Sequence, residues 1–279
     1  MEDIQDLTKT DYEQIARLVY QQSGINLGDQ KMQLVRARLG KRVRQGGFRS
    51  FAEYFRHVES DPTGEELCAL LDAISTNTTH LFREIRHFHF LHRVIEEWAA
   101  DPAWRRGHPV LRIWSAGCSS GEEPYSIVMT AHDALQRHAG VDLKILATDI
   151  SLRVLARAKV GIFEAHRLGT VPPEYRHRYF TKVMDGDQEG MQVVPELRQK
   201  IHFARFNLMT PTFPFRQGFD VIFCRNVMIY FDRPTQQTLV NKYAQHLHKG
   251  GYLLIGHSES LNGLDHPLEY VEPTIYRRK

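Results

Sequence analysis

A glycine-containing loop followed by two carboxylates is the first feature of the sequence that could do chemistry. Residues 116–124 read AGCSSGEEP, with Gly117 ahead of Glu122 and Glu123. Glycine lets the backbone approach a ligand closely, but the loop matches neither GxGxxG nor a phosphate-binding loop with Gly-Lys-Ser/Thr. Two carboxylates at a helix start repel phosphate and favour a ligand with ammonium or sulfonium charge. The alternative is that they only complement the helix dipole.

An acidic residue follows the next predicted strand. Asp149 lies in the sequence ATDIS at residues 147–151. At the carboxyl end of the second strand of an open α/β sheet, a carboxylate can accept hydrogen bonds from both hydroxyls of a ribose. The alternative is an N-cap of the helix that begins near Ser151. The two features together, without a phosphate fingerprint, indicate a nucleoside that lacks phosphates, and S-adenosylmethionine fits this description.

Further polar residues follow later strands, at the same edge of the predicted sheet. The fourth strand is followed by Arg225, Asn226 and Tyr230. The third strand is followed by Asn207 and Leu208, a pair that could reach the edge of an adenine. Methyltransferases acting on base amino groups usually carry an Asn/Asp-Pro-Pro-aromatic run after the fourth strand, and its absence argues against a nucleic-acid amine as acceptor.

A polar segment precedes the α/β part of the chain. Residues 77–84 read NTTHLFRE, just before a predicted helix. Arg83 is expected one helical turn past Thr79, so that both side chains point into a shared cleft. The alternative is that the segment only caps the helix.

The apolar pattern divides the chain into a helical part and an α/β part. Over the first 90 or so residues, apolar residues recur in four stripes at the helical period of roughly 3.6 residues. From about residue 109, β-rich runs alternate with helical patterns, which predicts a parallel sheet with crossover helices. The runs are 110–114, 143–148, 201–205, 219–224 and 252–256. Residues 161–200 interrupt the alternation and predict an inserted subdomain, with Tyr175, Tyr179 and Phe180 as its own small core.

Length and composition are those of an ordinary globular protein. The chain has 279 residues, of which 42% are hydrophobic and 25% charged, and a net charge of +3. This balance excludes disorder and gives no global attraction to nucleic acid or a membrane. Three cysteines without a CxxC pair, an acidic start and no apolar run near about 18 residues predict a cytoplasmic protein. His87, His89 and His92 point in different directions on a helix, so no metal site is expected.

Together these motifs resemble the chemotaxis receptor glutamate methyltransferases, the CheR family. The resemblance covers nearly the whole chain and rests on TNTTHLFRE (76–84), SAGCSSGEEPYS (115–126), ATDIS (147–151), NL (207–208) and FCRNVMIYF (223–231). It implies an α/β class I S-adenosylmethionine-dependent methyltransferase fold, with a doubly wound, mostly parallel sheet, a small all-α N-terminal domain and an inserted antiparallel β-subdomain. The implied parts are a receptor-docking domain at 1–76, a linker helix at 77–108 that contributes to the cofactor site, and a methyltransferase domain at 109–279.

The resemblance also implies roles for single residues. S-adenosylmethionine would be surrounded by Asn77, Thr79, Arg83, Gly117, Glu122, Asp149, Asn207, Leu208, Arg225 and Asn226. Arg83 and Tyr230 would face the substrate, the γ-carboxylate of a receptor glutamate, and the products would be a methyl ester and S-adenosylhomocysteine. A glutamate with a pKa of about 4.3 is ionised near neutral pH, so no general base is expected. His80 stands where relatives often have a small residue, with little expected consequence.

A basic segment offers a docking surface for an acidic partner. Between residues 31 and 49 there are seven basic residues and no acidic one: Lys31, Arg36, Arg38, Lys41, Arg42, Arg44 and Arg49. Arg38, Lys41 and Arg44 lie opposite the apolar stripe of the predicted helix. Most charged helix faces are simply solvated. The resemblance implies, however, that this face, together with Arg36 and Arg42, docks an acidic receptor helix. Nucleic acid is the competing anionic partner, but the rest of the chain has no positively charged surface to support its binding.

Two questions stay open at the level of the sequence. In the family, the inserted subdomain can also bind a short tail peptide of some receptors, and the loop MDGDQEG at 184–190 does not decide whether it does so here. The alternatives to a receptor methyltransferase are a class I methyltransferase for another carboxylate or a small molecule, and a cofactor-sensing adaptor without turnover. The presence of both Arg83 and Tyr230 argues against the adaptor.

Overall fold

The N-terminal part of the chain is a bundle of helices. The computed structural model describes residues 5–138 and 140–279, apart from the side chain of Asp29. Its first helices are α1 (Lys9–Ser23), α2 (Met32–Gln45), α3 (Phe51–Ser60) and α4 (Glu65–Ile74). The four predicted stripes form one core, in which Ile15, Val35, Tyr54 and Leu70 are fully buried. The helical prediction for this part is confirmed.

The ends of α1 direct the chain toward the rest of the protein. Thr8 and Asp11 form a capping box at its start, each side chain accepting a hydrogen bond from the other's backbone amide. Gly24, with a φ of 72°, ends the helix in the left-handed region, which glycine adopts readily. The amide of Asn26 then donates to the carbonyl of Tyr230 at 2.8 Å, which ties this turn to the α/β part.

The remaining helices and the strands follow in alternation. The helices are α5 (Arg86–Ala100), α6 (Pro102–Gly107), α7 (Glu122–Leu135), α8 (Leu152–Val160), α9 (Pro173–Tyr179), α10 (Pro195–Arg198) and α11 (Arg233–His246). The strands are β1 (Val110–Ala116), β2 (Asp142–Asp149), β3 (Ile162–Phe163), β4 (Phe180–Asp185), β5 (Gln188–Val193), β6 (Ile201–Arg205), β7 (Phe219–Cys224), β8 (Leu247–Ile255), β9 (Leu268–Glu272) and β10 (Ile275–Arg278). Within the described residues, no helix is long and apolar enough to cross a membrane.

The large sheet has seven strands in the order β6-β2-β1-β7-β8-β10-β9. The first five are parallel, whereas β10 and β9 pair antiparallel. Leu111 and Ile113 of β1 pack into the core that contains α5 and α7, and Trp114 and Ala116 pack into the core that contains α11. Both faces of the sheet are therefore covered by helices, and the predicted doubly wound, mostly parallel fold is confirmed.

Two details of the sheet differ from the sequence prediction. The last parallel strand begins at Leu247 rather than at Tyr252, and it includes the glycine pair at 250–251. Strands β9 and β10 were not predicted. They are short and antiparallel, and β9 alternates poorly because its residues 269–271 are all exposed at the sheet edge.

The inserted segment forms a second sheet, as predicted. Its three antiparallel strands have the order β3-β5-β4. The predicted core of this subdomain needs correction, because Tyr175, Tyr179 and Phe180 belong to the same hydrophobic cluster as the large sheet. The ring of Tyr175 lies 5.8 Å from that of Phe82, and the ring of Tyr179 lies 5.7 Å from that of His132 in α7. The subdomain is thus packed onto the main domain and does not have a core of its own.

Candidate active site

A cavity of about 500 Å³ lies where the helical bundle meets the carboxyl ends of the parallel strands. It opens beside β1 and β7, where the strand order reverses, which is the usual ligand position in such sheets. Its size is that of a small-molecule site. The wall brings together all of the predicted site residues except Glu122, namely Asn77, Thr79, Arg83, Gly117, Asp149, Asn207, Leu208, Arg225, Asn226 and Tyr230.

The loop after β1 is shaped by Gly117. Its φ is 89°, and its amide and that of Cys118 both donate to the carbonyl of Thr148, at 2.8 and 2.9 Å. A Cβ at position 117 would lie 2.4 Å from Cγ2 of Val227, so a side chain cannot be accommodated without moving the loop after β7. The glycine therefore allows two strand-end loops to approach each other and leaves a backbone cradle on the cavity wall.

Asp149 joins this loop to the end of β2. Its Oδ2 accepts a hydrogen bond from the amide of Ser119 at 2.9 Å, and its Oδ1 accepts one from the amide of Ser151 at 3.0 Å. Ser151, and not Asp149, caps α8, because its Oγ accepts from the amide of Val154. Burial raises the pKa of Asp149, and the backbone amides of Ser151, Ser119 and Ile150 oppose that shift. A carboxylate has about four acceptor positions, so capacity remains for the hydroxyls of a ligand.

The two glutamates that start α7 point to different neighbours. Glu122 is 1% exposed, and its carboxylate accepts from Arg167 at 2.6 Å and from Ser120 Oγ at 2.7 Å. Glu123 lies on the cavity wall instead, where it accepts from Ser115 Oγ at 2.7 Å and from Arg225 at 3.3 Å. Neighbouring helix residues point about 100° apart, and of the two carboxylates only Glu123 lines the cavity. The cofactor contact expected of Glu122 stays a prediction.

Arg225 is a buried guanidinium shared between two acidic groups. It donates to Glu84 at 3.1 Å, to Glu123 at 3.3 Å and to the carbonyl of Arg83, and its side chain is 2% exposed. Burial raises the pKa of Glu123, and Arg225 opposes that shift. At Glu84 burial also acts to raise the pKa, but Arg225 and a backbone amide outweigh it and the pKa is lowered. Arg225 thus fixes the turn at residues 83–84 to the end of β7.

The segment at residues 75–85 is not helical, which corrects the predicted turn from Thr79 to Arg83. Phe82 and Glu84 have φ values of 55° and 57°, and the helix begins only at Arg86. The segment is held from outside: Ser126 Oγ of α7 accepts from the amide of Phe82 at 2.9 Å, and Arg167 of the inserted subdomain donates to the carbonyl of Thr79 at 3.1 Å. Thr79 and Arg83 nevertheless both line the cavity.

Three polar groups of the wall have hydrogen-bonding capacity to spare. Among residues 5–138 and 140–279, the buried Nδ2 of Asn77 and the hydroxyl of Tyr230 have no hydrogen-bond partner. Arg83 donates through Nη1 to the carbonyl of Thr78 at 3.1 Å, which leaves its other N–H groups available. A buried donor without an acceptor costs free energy. These donors therefore favour a ligand that brings hydrogen-bond acceptors to the wall. The Lys31 ammonium lies 5.7 Å from the centre of the Tyr230 ring.

Asn207 and Leu208 follow the end of β6. The amide of Asn207 donates to the carbonyl of Gln22 at 2.6 Å and accepts from the amide of Met209 at 3.0 Å, so its side chain joins α1 to the α/β part. Leu208 is buried beside it and supplies apolar wall.

Two residues that position the site were not found from the sequence. Glu259 follows the last parallel strand and accepts hydrogen bonds from the amides of Gly256, Asn226 and Ile229, at 2.5, 3.0 and 3.2 Å. It stabilises Asn226 in a left-handed conformation, with a φ of 59°. Arg167 is the second, and its contacts to Glu122 and Thr79 span 45 and 88 residues. An acidic residue after a strand end is a signal that could have indicated Glu259, whereas nothing local indicates Arg167.

The predicted docking residues of α2 fall into two groups. Arg36 pairs with Asp6 at 2.7 Å, Arg42 pairs with Glu66, and Arg38 donates to the carbonyls of Ile74 and Ser75. These three arginines hold the bundle and the segment that enters the cavity wall. The side chains of Lys41 and Arg44, by contrast, form neither an ion pair nor a hydrogen bond within the described part of the chain.

The fold and the cavity define a class I methyltransferase that binds S-adenosylmethionine. The wall fits this cofactor: Asp149 retains acceptors for a ribose, Asn77 retains a donor, and Gly117 leaves room for close backbone approach. The family comparison agrees, since a family described as "CheR methyltransferase, all-alpha domain" matches residues 10–75 and "CheR methyltransferase, SAM binding domain" matches residues 77–277. The chain belongs to the CheR methyltransferase family, and S-adenosylmethionine is its cofactor.

Named relatives match over nearly their whole length. The chemotaxis protein methyltransferase of Borreliella burgdorferi is 40% identical, over 98% of this chain and 95% of that protein. The chemotaxis protein methyltransferase of Escherichia coli is 38% identical, over 97% of this chain and 91% of that protein. The similarity therefore includes the helical bundle as well as the cofactor-binding part.

Proposed function

We propose that this protein methylates the γ-carboxylate of specific glutamates on the cytoplasmic helices of chemoreceptors, giving glutamate methyl esters and S-adenosylhomocysteine. The observation that carries this proposal is the pair of donors on the cavity wall, the Arg83 guanidinium and the Tyr230 hydroxyl, whose capacity is not used up by the protein itself. The relatives named as chemotaxis protein methyltransferases support the choice of a receptor as substrate.

The cofactor is held by the residues that keep hydrogen-bonding capacity. Asp149 accepts hydrogen bonds from the ribose hydroxyls, Asn77 donates to a cofactor acceptor, and the loop at Gly117 packs against it. When bound, S-adenosylmethionine supplies an electrophilic methyl group on a sulfonium. Glu123 and Asp149 place carboxylates on the wall, which favours a cationic ligand over a phosphate-bearing one.

The substrate carboxylate needs orientation rather than activation. Glutamate has a pKa of about 4.3, so the nucleophile is ionised at neutral pH and no side chain has to remove a proton. Arg83 and Tyr230 hold the carboxylate near the methyl group, and such proximity can supply roughly 7–11 kcal/mol of the barrier. Because Arg83 already donates to the carbonyl of Thr78, it offers the carboxylate only part of its capacity and leaves an oxygen free to react.

His80 also lines the cavity but is not needed as a base. Burial and the neighbouring Arg83 lower its pKa, so the imidazole is neutral at pH 7. A neutral imidazole could accept a proton, but the carboxylate has none to give. We therefore assign His80 no part in methyl transfer.

Two surfaces are available to bring in the substrate. Lys41 and Arg44 on α2 provide positive charge for an acidic receptor helix. The outer edge of β4 in the three-stranded sheet can pair with an added strand, which suits a receptor tail peptide. Pairing there would raise the local concentration of the receptor.

The test is transfer of tritiated methyl groups from S-adenosylmethionine to three acceptors: a receptor cytoplasmic fragment, a mixture of small carboxylates, and no acceptor. We expect base-labile label, released as methanol, in the receptor fragment alone. Label in the small carboxylates would support the second candidate, a small-molecule methyltransferase. Cofactor binding without any transfer would show a non-catalytic adaptor. Replacing the methylated glutamates of the fragment by alanine is the matched control and should abolish labelling.

A further inference from the structure

Two groups of histidine and carboxylate side chains place one ligand atom from each member within 4.8 Å of one another in the described residues. The first, Glu84 with His87 and His257, belongs to the active-site framework. Arg225 donates to Glu84 at 3.1 Å, and its positive charge opposes a metal ion there. The second group is His108, Asp220 and His248, which the proposed methyl transfer does not use.

The second group lies at the amino ends of the central strands, at the edge of the sheet opposite the cofactor cavity. His108 is in the turn between α6 and β1, Asp220 is the second residue of β7, and His248 is the second residue of β8. Asp220 and His248 therefore sit on paired parallel strands, at the point where the register shifts between the pairs Phe219–Leu247 and Val221–Tyr252. The two strands hold the side chains of Asp220 and His248 against each other at this irregularity, and a preformed arrangement is what a metal site requires.

The hydrogen bonds of this group orient each ligand atom. Nδ1 of His108 contacts the carbonyl of Trp104 at 3.1 Å, and because a carbonyl only accepts, the proton is on Nδ1 and the lone pair of Nε2 is available. Asp220 accepts from the amide of Arg112 through Oδ2 at 2.8 Å, which leaves Oδ1 toward the histidines. Partners of this kind around metal-binding histidines and carboxylates fix ring orientation.

The distance between the ligand atoms of His248 and Asp220 is close to that between two ligands of one metal ion. Nδ1 of His248 and Oδ1 of Asp220 are 3.0 Å apart. Two ligand atoms about 2.0–2.1 Å from one tetrahedral ion lie roughly 3.3 Å from each other, so a small shift converts this hydrogen bond into a pair of ligands. Gly218 leaves room for the His248 ring, since a Cβ at that position would lie 2.6 Å from its Cδ2.

We propose that His108, Asp220 and His248 bind one divalent transition-metal ion of the Zn²⁺, Co²⁺ or Ni²⁺ type. Two imidazole nitrogens and one carboxylate oxygen suit such ions, whereas Mg²⁺ and Ca²⁺ prefer sites made of oxygen. The buried carboxylate and the partly exposed His248 ring give the ion a negative partner and a path from solvent. Binding fixes the turn between α6 and β1 to the ends of β7 and β8, and it leaves a fourth position for water.

The experiment is calorimetric titration of the full-length, tag-free protein with Zn²⁺, with Co²⁺ absorption as a report of tetrahedral geometry. We expect one ion per chain, and a loss of affinity of at least about tenfold in His108→Ala and in Asp220→Asn. His257→Ala, which disrupts the other group, and His166→Ala, an exposed histidine, are the matched controls and should bind as the unchanged protein does.

His108→Ala keeps the proposal testable if the buried Asp220 proves necessary for folding, because His108 lies in a turn and circular dichroism can establish that this variant is folded. No saturable uptake by the unchanged protein would overturn the proposal. Uptake that survives in the folded His108→Ala variant, or uptake lost in His257→Ala, would also overturn it.

Discussion

Replacement of Asp149 by alanine should weaken cofactor binding about 100-fold. The carboxylate accepts hydrogen bonds from the amides of Ser119 and Ser151 and keeps acceptor capacity that two ribose hydroxyls can use. Each hydrogen bond to a charged group contributes about 1.5 kcal/mol at the lower end of its usual range. Two such bonds give about 3 kcal/mol, and about 1.4 kcal/mol corresponds to a tenfold change in the dissociation constant.

The assay is calorimetric titration with S-adenosylhomocysteine and with its 2′,3′-dideoxy analogue, for the unchanged protein and for Asp149→Ala. If Asp149 binds the ribose hydroxyls, removing the hydroxyls and removing the carboxylate each abolish the same interaction. The two losses of binding free energy should therefore not add. Ser151→Ala is the control, since it removes the α8 cap and keeps the carboxylate. A dideoxy penalty that persists undiminished in Asp149→Ala would refute the assignment.

Three further outcomes are expected from the structure. Tyr230→Phe should lower kcat about tenfold, because one hydrogen bond to a carboxylate is lost, with S-adenosylhomocysteine affinity unchanged in calorimetry; an equal loss in both would make Tyr230 a cofactor-binding residue. Lys41→Glu combined with Arg44→Glu should raise the KM for the receptor fragment in the tritium assay and leave cofactor affinity intact; unchanged methylation would place docking elsewhere. Burial lowers the pKa of His87 to about 3. As the pH falls below about 6.5, His87 therefore takes up a proton in the unfolded chain but not in the folded protein. Between pH 7 and 5 this difference should lower the free energy of unfolding by about 2 kcal/mol. In urea unfolding over this pH range, the free energy of unfolding of His87→Gln should fall by about 2 kcal/mol less than that of the unchanged protein. The same pH dependence in both proteins would contradict this prediction.

The cavity could be predicted because its residues follow strand ends, and the order of strands along the chain determines which ends meet. Asp149, Arg225 and Gly117 were found in this way. Glu122 was predicted beside the cofactor, and the sequence could not indicate that Glu123 lines the cavity, since this depends on where α7 begins to within one residue. The conformation of residues 79–85 also escaped prediction, because the segment is held by Arg167 at Thr79 and by Ser126 at Phe82, which are both distant in sequence.

The basic face of α2 illustrates a second limit. The helical period predicted correctly that Val35 and Leu39 are buried and that the arginines lie away from them. It could not indicate that Arg36, Arg38 and Arg42 have partners on other segments of the bundle, because those partners are 24 to 38 residues away or at the start of the chain. Charge count alone therefore overstates the number of cations available to a partner.

The most direct test of the central claim is the pH dependence of single-turnover methyl transfer to the receptor fragment. An acceptor that is already ionised should give a rate constant that is constant between about pH 6 and 8 and falls to half only near the glutamate pKa of about 4.3. A rate constant that instead rises about tenfold per pH unit through an apparent pKa between about 6 and 8 would show that a side chain must first remove a proton, and it would contradict the account.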